Sequence, residues 1–200
     1  MAITIAETAD VDATASIGAG SKIWHLAQIR DGVVIGENCI VSRGAYIGSG
    51  VKIGNNCKIQ NFALVYEPAL LGNGVFIGPA VVLTNDQYPR AVNPDLTLKA
   101  GCDWDAVGVT IGDGASIGAQ SVCIAPVKIG AWALVAAGSV VIKDVPEFAL
   151  VAGNPAKWIR WVGRAGVPLI DLGEHNFKCP ITGDEFEEIN SHHLIEKEKG

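Results

Sequence analysis

The stretch from Ile17 to Ile59, "IGAGSKIWHLAQIRDGVVIGENCIVSRGAYIGSGVKIGNNCKI", carries an aliphatic residue at every sixth position: Ile17, Ile23, Ile29, Ile35, Val41, Ile47, Ile53 and Ile59. Stepping outward extends the series to Val11 and Ile5 on one side and to Val65, Leu71, Ile77 and Leu83 on the other. Two residues before most of these sits a compact side chain, such as Ala15, Ser21, Ala27, Cys39, Ala45, Cys57 and Ala63. Glycine often follows the aliphatic position, as at Gly18, Gly36, Gly48, Gly54, Gly72 and Gly78. An amphipathic helix needs a period near 3.6 and a simple strand a period of 2. A period of six fits neither. It fits a short strand and a turn, with the aliphatic residue inward and glycine relieving crowding at the corner. Three such repeats close one triangular coil, and coils stacked at roughly 4.8 Å by strand pairing form a prism.

The register stops after Leu83 and resumes at Ile111, Ile117, Cys123, Ile129, Val135 and Val141. The interval from Leu83 to Ile111 is not a whole number of repeats, so an insertion interrupts the solenoid over about 86–107. Counting both runs gives twenty repeats, or six to seven coils. Loops that interrupt a repeat array tend to carry binding residues, and one this long in a compact domain is uncommon without a function.

Positions three repeats apart stack on one face of such a prism. Asp31, Ser49, Glu67 and Asn85 form one outward row, and His25, Arg43, Asn61 and Pro79 form another. Glu67 and Asn85 are therefore expected as neighbours at the loop root, with Asp86 beside them. Gln60, Asn61, Tyr66 and Glu67 read as one polar cluster within "IQNFALVYE", and more polar groups stand there than packing requires. His25 has the right chemistry for a general base, since a neutral imidazole accepts a proton near pH 7. It lies more than three coils from Asn85, roughly 15 Å by strand spacing, so a role at Asn85 would need a neighbouring chain.

Charged residues make up 18% of the 200, apolar residues 49%, and the net charge is −6. This excludes a disordered chain and argues against nucleic acid as the main partner. Met1 to Asp10 has neither a basic nor an apolar leader region, and no apolar run is long enough to span a membrane. Five cysteines without CxxC spacing fit reduced cytoplasmic thiols.

The repeat resembles the hexapeptide-repeat acyltransferases from residue 5 to about 157. "VIKDVPEFALVAGNPAKWI" (Val141 to Ile159) looks like the C-terminal signature of that family. "IWHLAQI", "KIQNFALVYE" and "GPAVVLTNDQYPRA" look like the bacterial nucleotide-linked 3-amino-sugar N-acetyltransferases. The resemblance implies a left-handed parallel β-helix over 1–157 and an exit segment with a small hairpin and tail over 158–200. It implies a homotrimer with active sites between subunits and acetyl-CoA as co-substrate. The acceptor would be a UDP- or dTDP-linked 3-amino sugar, in surface-polysaccharide (O-antigen) biosynthesis. Asn85 would orient the amine, with Glu67, Asp86 and His25 as the ionisable candidates. Gln60, Asn61, Tyr66, Glu67 and Arg90 would contact the acceptor. Ala136, Ala137 and Gly138 would admit the pantetheine arm against bare backbone. Lys157 and Arg160 would meet the CoA phosphates; otherwise they belong to a basic exit helix.

Three rival readings share the repeat. A γ-type carbonic anhydrase needs three histidines on neighbouring coils, and only His25 lies in the repeat. A non-catalytic assembly subunit would not need the loop or the exit signature. Acetyltransferases for other small acceptors place a histidine in the loop-side cleft, where this sequence has none. In the last forty residues, Cys179-Pro180 lacks the second cysteine of a zinc knuckle and His192-His193 are adjacent, so no metal is expected.

Overall fold

The computed structural model describes residues 2–197 and is all-β. Twenty two- and three-residue strands from Thr4–Ile5 to Val140–Val141 lie on three parallel sheets. The first face carries Lys22–Ile23, Ile40–Val41, Lys58–Ile59 and Phe76–Ile77; the second Gln28–Ile29, Tyr46–Ile47, Leu64–Val65 and Val82–Leu83; the third Val34–Ile35, Lys52–Ile53 and Leu70–Leu71. Each strand pairs with the one three repeats further on, as in Tyr46↔Leu64↔Val82. The expected parallel β-solenoid is therefore the fold. Ala149–Gly153 pairs with Leu134–Val135 and supplies an eighth parallel strand on the first face, one rung beyond the expected six to seven.

The core is the stack of aliphatic positions: Ile29, Val41, Ile47, Ile59, Val65, Ile77 and Leu83 are all at most 1% exposed. The compact positions are explained by hydrogen bonding as well as volume. Ser21 Oγ donates to Gly36 O at 2.8 Å and accepts from Cys39 N at 2.9 Å. Ser121 Oγ donates to Ala136 O, and Cys39 and Cys57 Sγ reach the carbonyls of Gly54 and Gly72. A buried hydroxyl or thiol there ties one coil to the next without leaving a polar group unpaired. All five cysteines are free thiols, and burial pushes the Cys123 thiol up to about 12.

Two corner constraints shape the sequence. Most corners use a left-handed backbone position, filled by Gly20, Asn38, Asn56 and Gly74 on one edge and by Leu26, Gly44, Phe62 and Ala80 on another. Bulky residues at positive φ are strained. At the corner between the third and first faces, a Cβ on Gly54 would stand 2.6 Å from the backbone carbonyl of Gly72. Gly54→Ala is accordingly expected to lower the unfolding free energy by about 1–3 kcal/mol, the usual range for overpacking. Urea unfolding reads this directly, and an unchanged midpoint would mean that the coils part more freely than strand pairing implies.

The insertion runs between Val82–Leu83 and Val109–Ile111. Leu70 pairs with Thr110 and not with Tyr88, which an unbroken period would have placed there, so the whole loop is added at a single corner. The loop is ordered by its own turns. Asp103 Oδ2 accepts from Ala100 N and Asn93 Nδ2, Asp95 caps Thr97, and Val92 bridges Leu98. The bonds from Ala100 and Asn93 hold the Asp103 carboxyl below its usual range.

The exit segment departs from expectation. Ala156–Trp161, which carries Lys157 and Arg160, is no helix; it is a strand antiparallel to Ala149–Gly153. Beyond it, instead of a hairpin, four antiparallel strands form a sheet: Ile170–Gly173, Asn176–Lys178, Glu185–Asn190 and His193–Glu196. Phe186 packs edge-on to Phe148 at 5.2 Å, and Trp161 Nε1 donates to Glu188 at 3.0 Å. The sheet thereby covers the end of the prism. The end of the charged tail, residues 198–200, lies outside the described residues.

Candidate functional site

The corner between the second and third faces stacks Asp31, Ser49, Glu67 and Asn85 in register, since Ile29↔Ile47 and Val65↔Leu83 are paired. Ser49 Oγ donates to Asp31 at 2.7 Å. Glu67 and Asn85 are half-buried neighbours on adjacent coils. Glu67 leans over Gly48, and its Oε2 is shielded from solvent with no hydrogen-bond partner. A buried carboxylate oxygen without a donor is costly. Asn85 also roots the loop, its carbonyl accepting from Val107 N at 3.0 Å. Asp86 follows directly and accepts from Tyr88 N at 2.7 Å. Arg90 is exposed and donates to Pro89 O at 2.9 Å.

The sequence-based polar cluster does not hold together. Tyr66 and Glu67 stand at this corner, whereas Gln60 and Asn61 occupy the corner between the first and second faces. One repeat moves the chain to the next corner of the prism, so residues close in "IQNFALVYE" are split by a whole face. Asn61 instead joins His25, Trp24, Ser42 and Arg43 around a cavity of about 320 Å³. His25 Nδ1 is 2.9 Å from Thr8 Oγ1. His25 and Asn85 are therefore on different corners within one chain. Trp24, Leu26 and Phe62 expose 45%, 53% and 57% of their surface around His25.

Ala136, Ala137 and Gly138 lie farther along this His25 corner. Ala136 N donates to Val151 O, and its carbonyl accepts from both Ser121 and Ser139. Lys157 borders a cavity of about 860 Å³ at the end of the prism. Lys128, Lys143 and His192 border it too, over an apolar floor of Val141, Val145 and Val151, with Asp144 and Glu147 as the acidic members. Arg160 lines a separate cavity of about 380 Å³ with Trp158, Trp161 and Phe177. A bulge lies between them, so Lys157 and Arg160, paired with Ala152 and Leu150, share one side of the strand while bordering different cavities. Sequence reading missed Lys128 and Lys143. Their outward place in the last repeats was visible, but the return strand that gathers them with Lys157 was not. Among the described residues, no group of three His, Cys, Asp or Glu is placed to hold a metal, and no helix is long and apolar enough to cross a membrane.

Residues 14–49 and 50–85 match the family described as bacterial transferase hexapeptide (six repeats), and residues 108–143 match the hexapeptide repeat of succinyl-transferase. The chain belongs to the hexapeptide-repeat acyltransferase family. Among curated relatives, it is 60% identical over 52 residues to serine acetyltransferase 4 of Arabidopsis thaliana, covering 26% of this chain and 15% of that protein. It is 59% identical over 44 residues to dTDP-3-amino-3,6-dideoxy-alpha-D-galactopyranose 3-N-acetyltransferase of Aneurinibacillus thermoaerophilus, covering 22% of this chain and 23% of that protein. The matches thus span less than a quarter of either relative. A hexapeptide-repeat acetyltransferase from Vibrio cholerae, solved with acetyl coenzyme A, superposes with a TM-score of 0.53 at 26% identity, over 66% of this chain and 72% of that one. In this hexapeptide-repeat chain the parts that leave the solenoid are the loop after Asn85 and the terminal four-stranded sheet.

Proposed function

We propose that this chain is an acetyl-CoA-dependent N-acetyltransferase acting on the 3-amino group of a UDP- or dTDP-linked sugar, in surface-polysaccharide biosynthesis in the cytoplasm. The observation that carries this reading is the unpartnered Glu67 Oε2 beside Asn85 at the loop root. A carboxylate and a carboxamide side by side suit an amine: one accepts its hydrogens, and the other fixes its lone pair toward an acyl carbon. The amine nitrogen bonds to the thioester carbonyl carbon, the carbon–sulfur bond breaks, and the departing thiolate takes the surplus proton. A neutral amine is already a good nucleophile, so no strong base is required, and Asp86 serves the loop turn. A backbone N–H stabilises the oxyanion.

Acetyl-CoA is assigned to the last coils. The pantetheine arm runs along Ala136, Ala137 and Gly138, and the phosphates meet Lys157 as charge-assisted acceptors, now joined by Lys128 and Lys143. The cavity these lysines border supports that placement. Arg160, which borders the aromatic cavity and not the lysine-lined one, is reassigned to the former.

The active unit is a homotrimer. Exposed Trp24, Leu26 and Phe62 at one corner, and Tyr88, Leu96 and Leu98 at 76–81% exposure on the loop, support contact between copies. Such contact lets the His25 and Asn61 corner of one chain approach the Glu67 and Asn85 corner of another. The similarity to a dTDP-3-amino-sugar N-acetyltransferase supports the sugar acceptor, and the comparable similarity to serine acetyltransferases makes serine the rival acceptor. The test is purified protein with acetyl-CoA and a panel of UDP- and dTDP-linked 3-amino sugars, following thiol release. Release with at least one member is expected; release with serine alone would replace this reading with the other acceptor class.

A further inference from the structure

The last two strands of the terminal sheet, Glu185–Asn190 and His193–Glu196, form a hairpin whose turn carries His192. The apolar face of this sheet is spent on the prism: Phe186 is fully buried against Phe148, and Leu194 is 2% exposed. Capping needs no more than that face. The turn reaches further and brings His192 to the rim of the 860 Å³ cavity. Its place there is held from two sides. Asn190 Oδ1 accepts from His192 N at 3.0 Å, which fixes the turn. Arg164 lies over the Trp132 ring at 5.0 Å and pairs with Glu196 at 2.6 Å, which ties the second hairpin strand to the late coils. The neighbouring His193 borders a different cleft, of about 480 Å³, with Arg164 and Glu196.

The charges that share this cavity with His192 come from two further elements. Lys128, Lys143, Asp144 and Glu147 belong to the last coils, and Lys157 to the return strand. Among the described residues, none of the three lysines takes part in an ion pair. Asp144 accepts from Lys128 N at 2.8 Å, so part of its charge serves backbone. Three ammonium groups against two carboxylates leave the cavity net positive in a chain of net charge −6. Unpaired cations gathered around one hollow suit a polyanion. We propose that the terminal sheet is a wall of the co-substrate site, with His192 as a fourth cation that meets the coenzyme A phosphates beside the three lysines. An imidazole changes charge over about pH 5–8, which lysine does not. In the empty cavity the lysines repel an imidazolium, and Asp144 and Glu147 attract it. Bound phosphate removes the repulsion and favours the cationic form. The His192 contribution is therefore complete at low pH and is lost as pH rises through the titration of the complex.

This inference rests on the acetyl-CoA placement proposed above and adds to it a residue of variable charge from outside the solenoid. Calorimetry with free coenzyme A tests it without any acceptor. The wild type, His192→Gln, His192→Lys and Lys143→Gln are compared at about pH 6 and about pH 8.5, on either side of the imidazole range. His192→Gln should bind about three- to fivefold more weakly than the wild type at the lower pH, the scale of an exposed charge pair, and equally at the higher. Reading each variant against the wild type at the same pH cancels the titration of the phosphates themselves. His192→Lys should match the wild type at the lower pH and exceed it at the higher. Lys143→Gln should weaken binding at both. His192 stands on an exposed turn, so its variants should melt with the wild type. Equal binding by His192→Gln at the lower pH, or a loss that does not change with pH, overturns the proposal, and so does a wild type that binds no coenzyme A. Lys143-dependent binding that ignores His192 keeps coenzyme A in the cavity and reduces the sheet to a cap. His192-dependent binding without thiol release from any amino sugar upholds the wall and overturns the N-acetyltransfer reading. Thiol release from an amino sugar with His192-independent binding does the reverse.

Discussion

Asn85→Ala is expected to lower kcat about 100-fold, the scale on which misorientation of a reacting group slows a reaction. The fold should be unaffected. Asn85 serves the solenoid through its backbone, whose carbonyl accepts from Val107 N, and alanine keeps that carbonyl. The acetyl-CoA KM should also hold, because the lysine-lined cavity begins two rungs further along the stack, about 10 Å by strand spacing, and Asn85 does not border it. Steady-state kinetics with a competent amino sugar, read beside a circular-dichroism melt, separates these effects. Near-normal turnover would remove Asn85 from its proposed role and leave the orphaned Glu67 carboxylate as the group that holds the amine.

The second large effect concerns the stack itself. Ile59 is fully buried and paired with Val41 on one side and Ile77 on the other. Ile59→Ala should cost about 2–5 kcal/mol, the lost transfer energy plus the cavity left in the axis of the prism. The rungs above and below are fixed by backbone pairing, so they cannot close in along the axis. Guanidinium unfolding should show a lower midpoint. Gln87→Ala on the loop, where the side chain is exposed, is the control and should stay within about 0.5 kcal/mol. Equal losses at the two sites would mean that the loop is part of the cooperative core.

The solenoid was legible because its signal is repeated: Ile17, Ile23 and Ile29 each report the same geometry, and no single misreading shifts the register. The neighbour relation of Glu67 and Asn85 came from that same arithmetic. What failed were judgements of nearness along the chain. Gln60 and Tyr66 are a single repeat apart yet stand on different corners, while Tyr46 and Tyr66, more than three repeats apart, touch. The exit strand was misjudged for another reason. Ala156 to Trp161 has no repeat to vouch for it, and its conformation is decided by the free edge of Ala149–Gly153, a tertiary partner that local pattern does not reveal.

The loop inserted between Leu83 and Val109 leaves the rungs on either side in step. Val82 still pairs with Val122 across the gap, as though the chain had never left the prism. A corner of this architecture is thus a point where length is free. Chain can be gained or lost there without any change in how the interior packs. Mutation can therefore reshape the groups around Asn85 while folding selects only on the aliphatic column behind them. The two pressures act on separate residues, and a lineage built on this frame can change its acceptor in few steps.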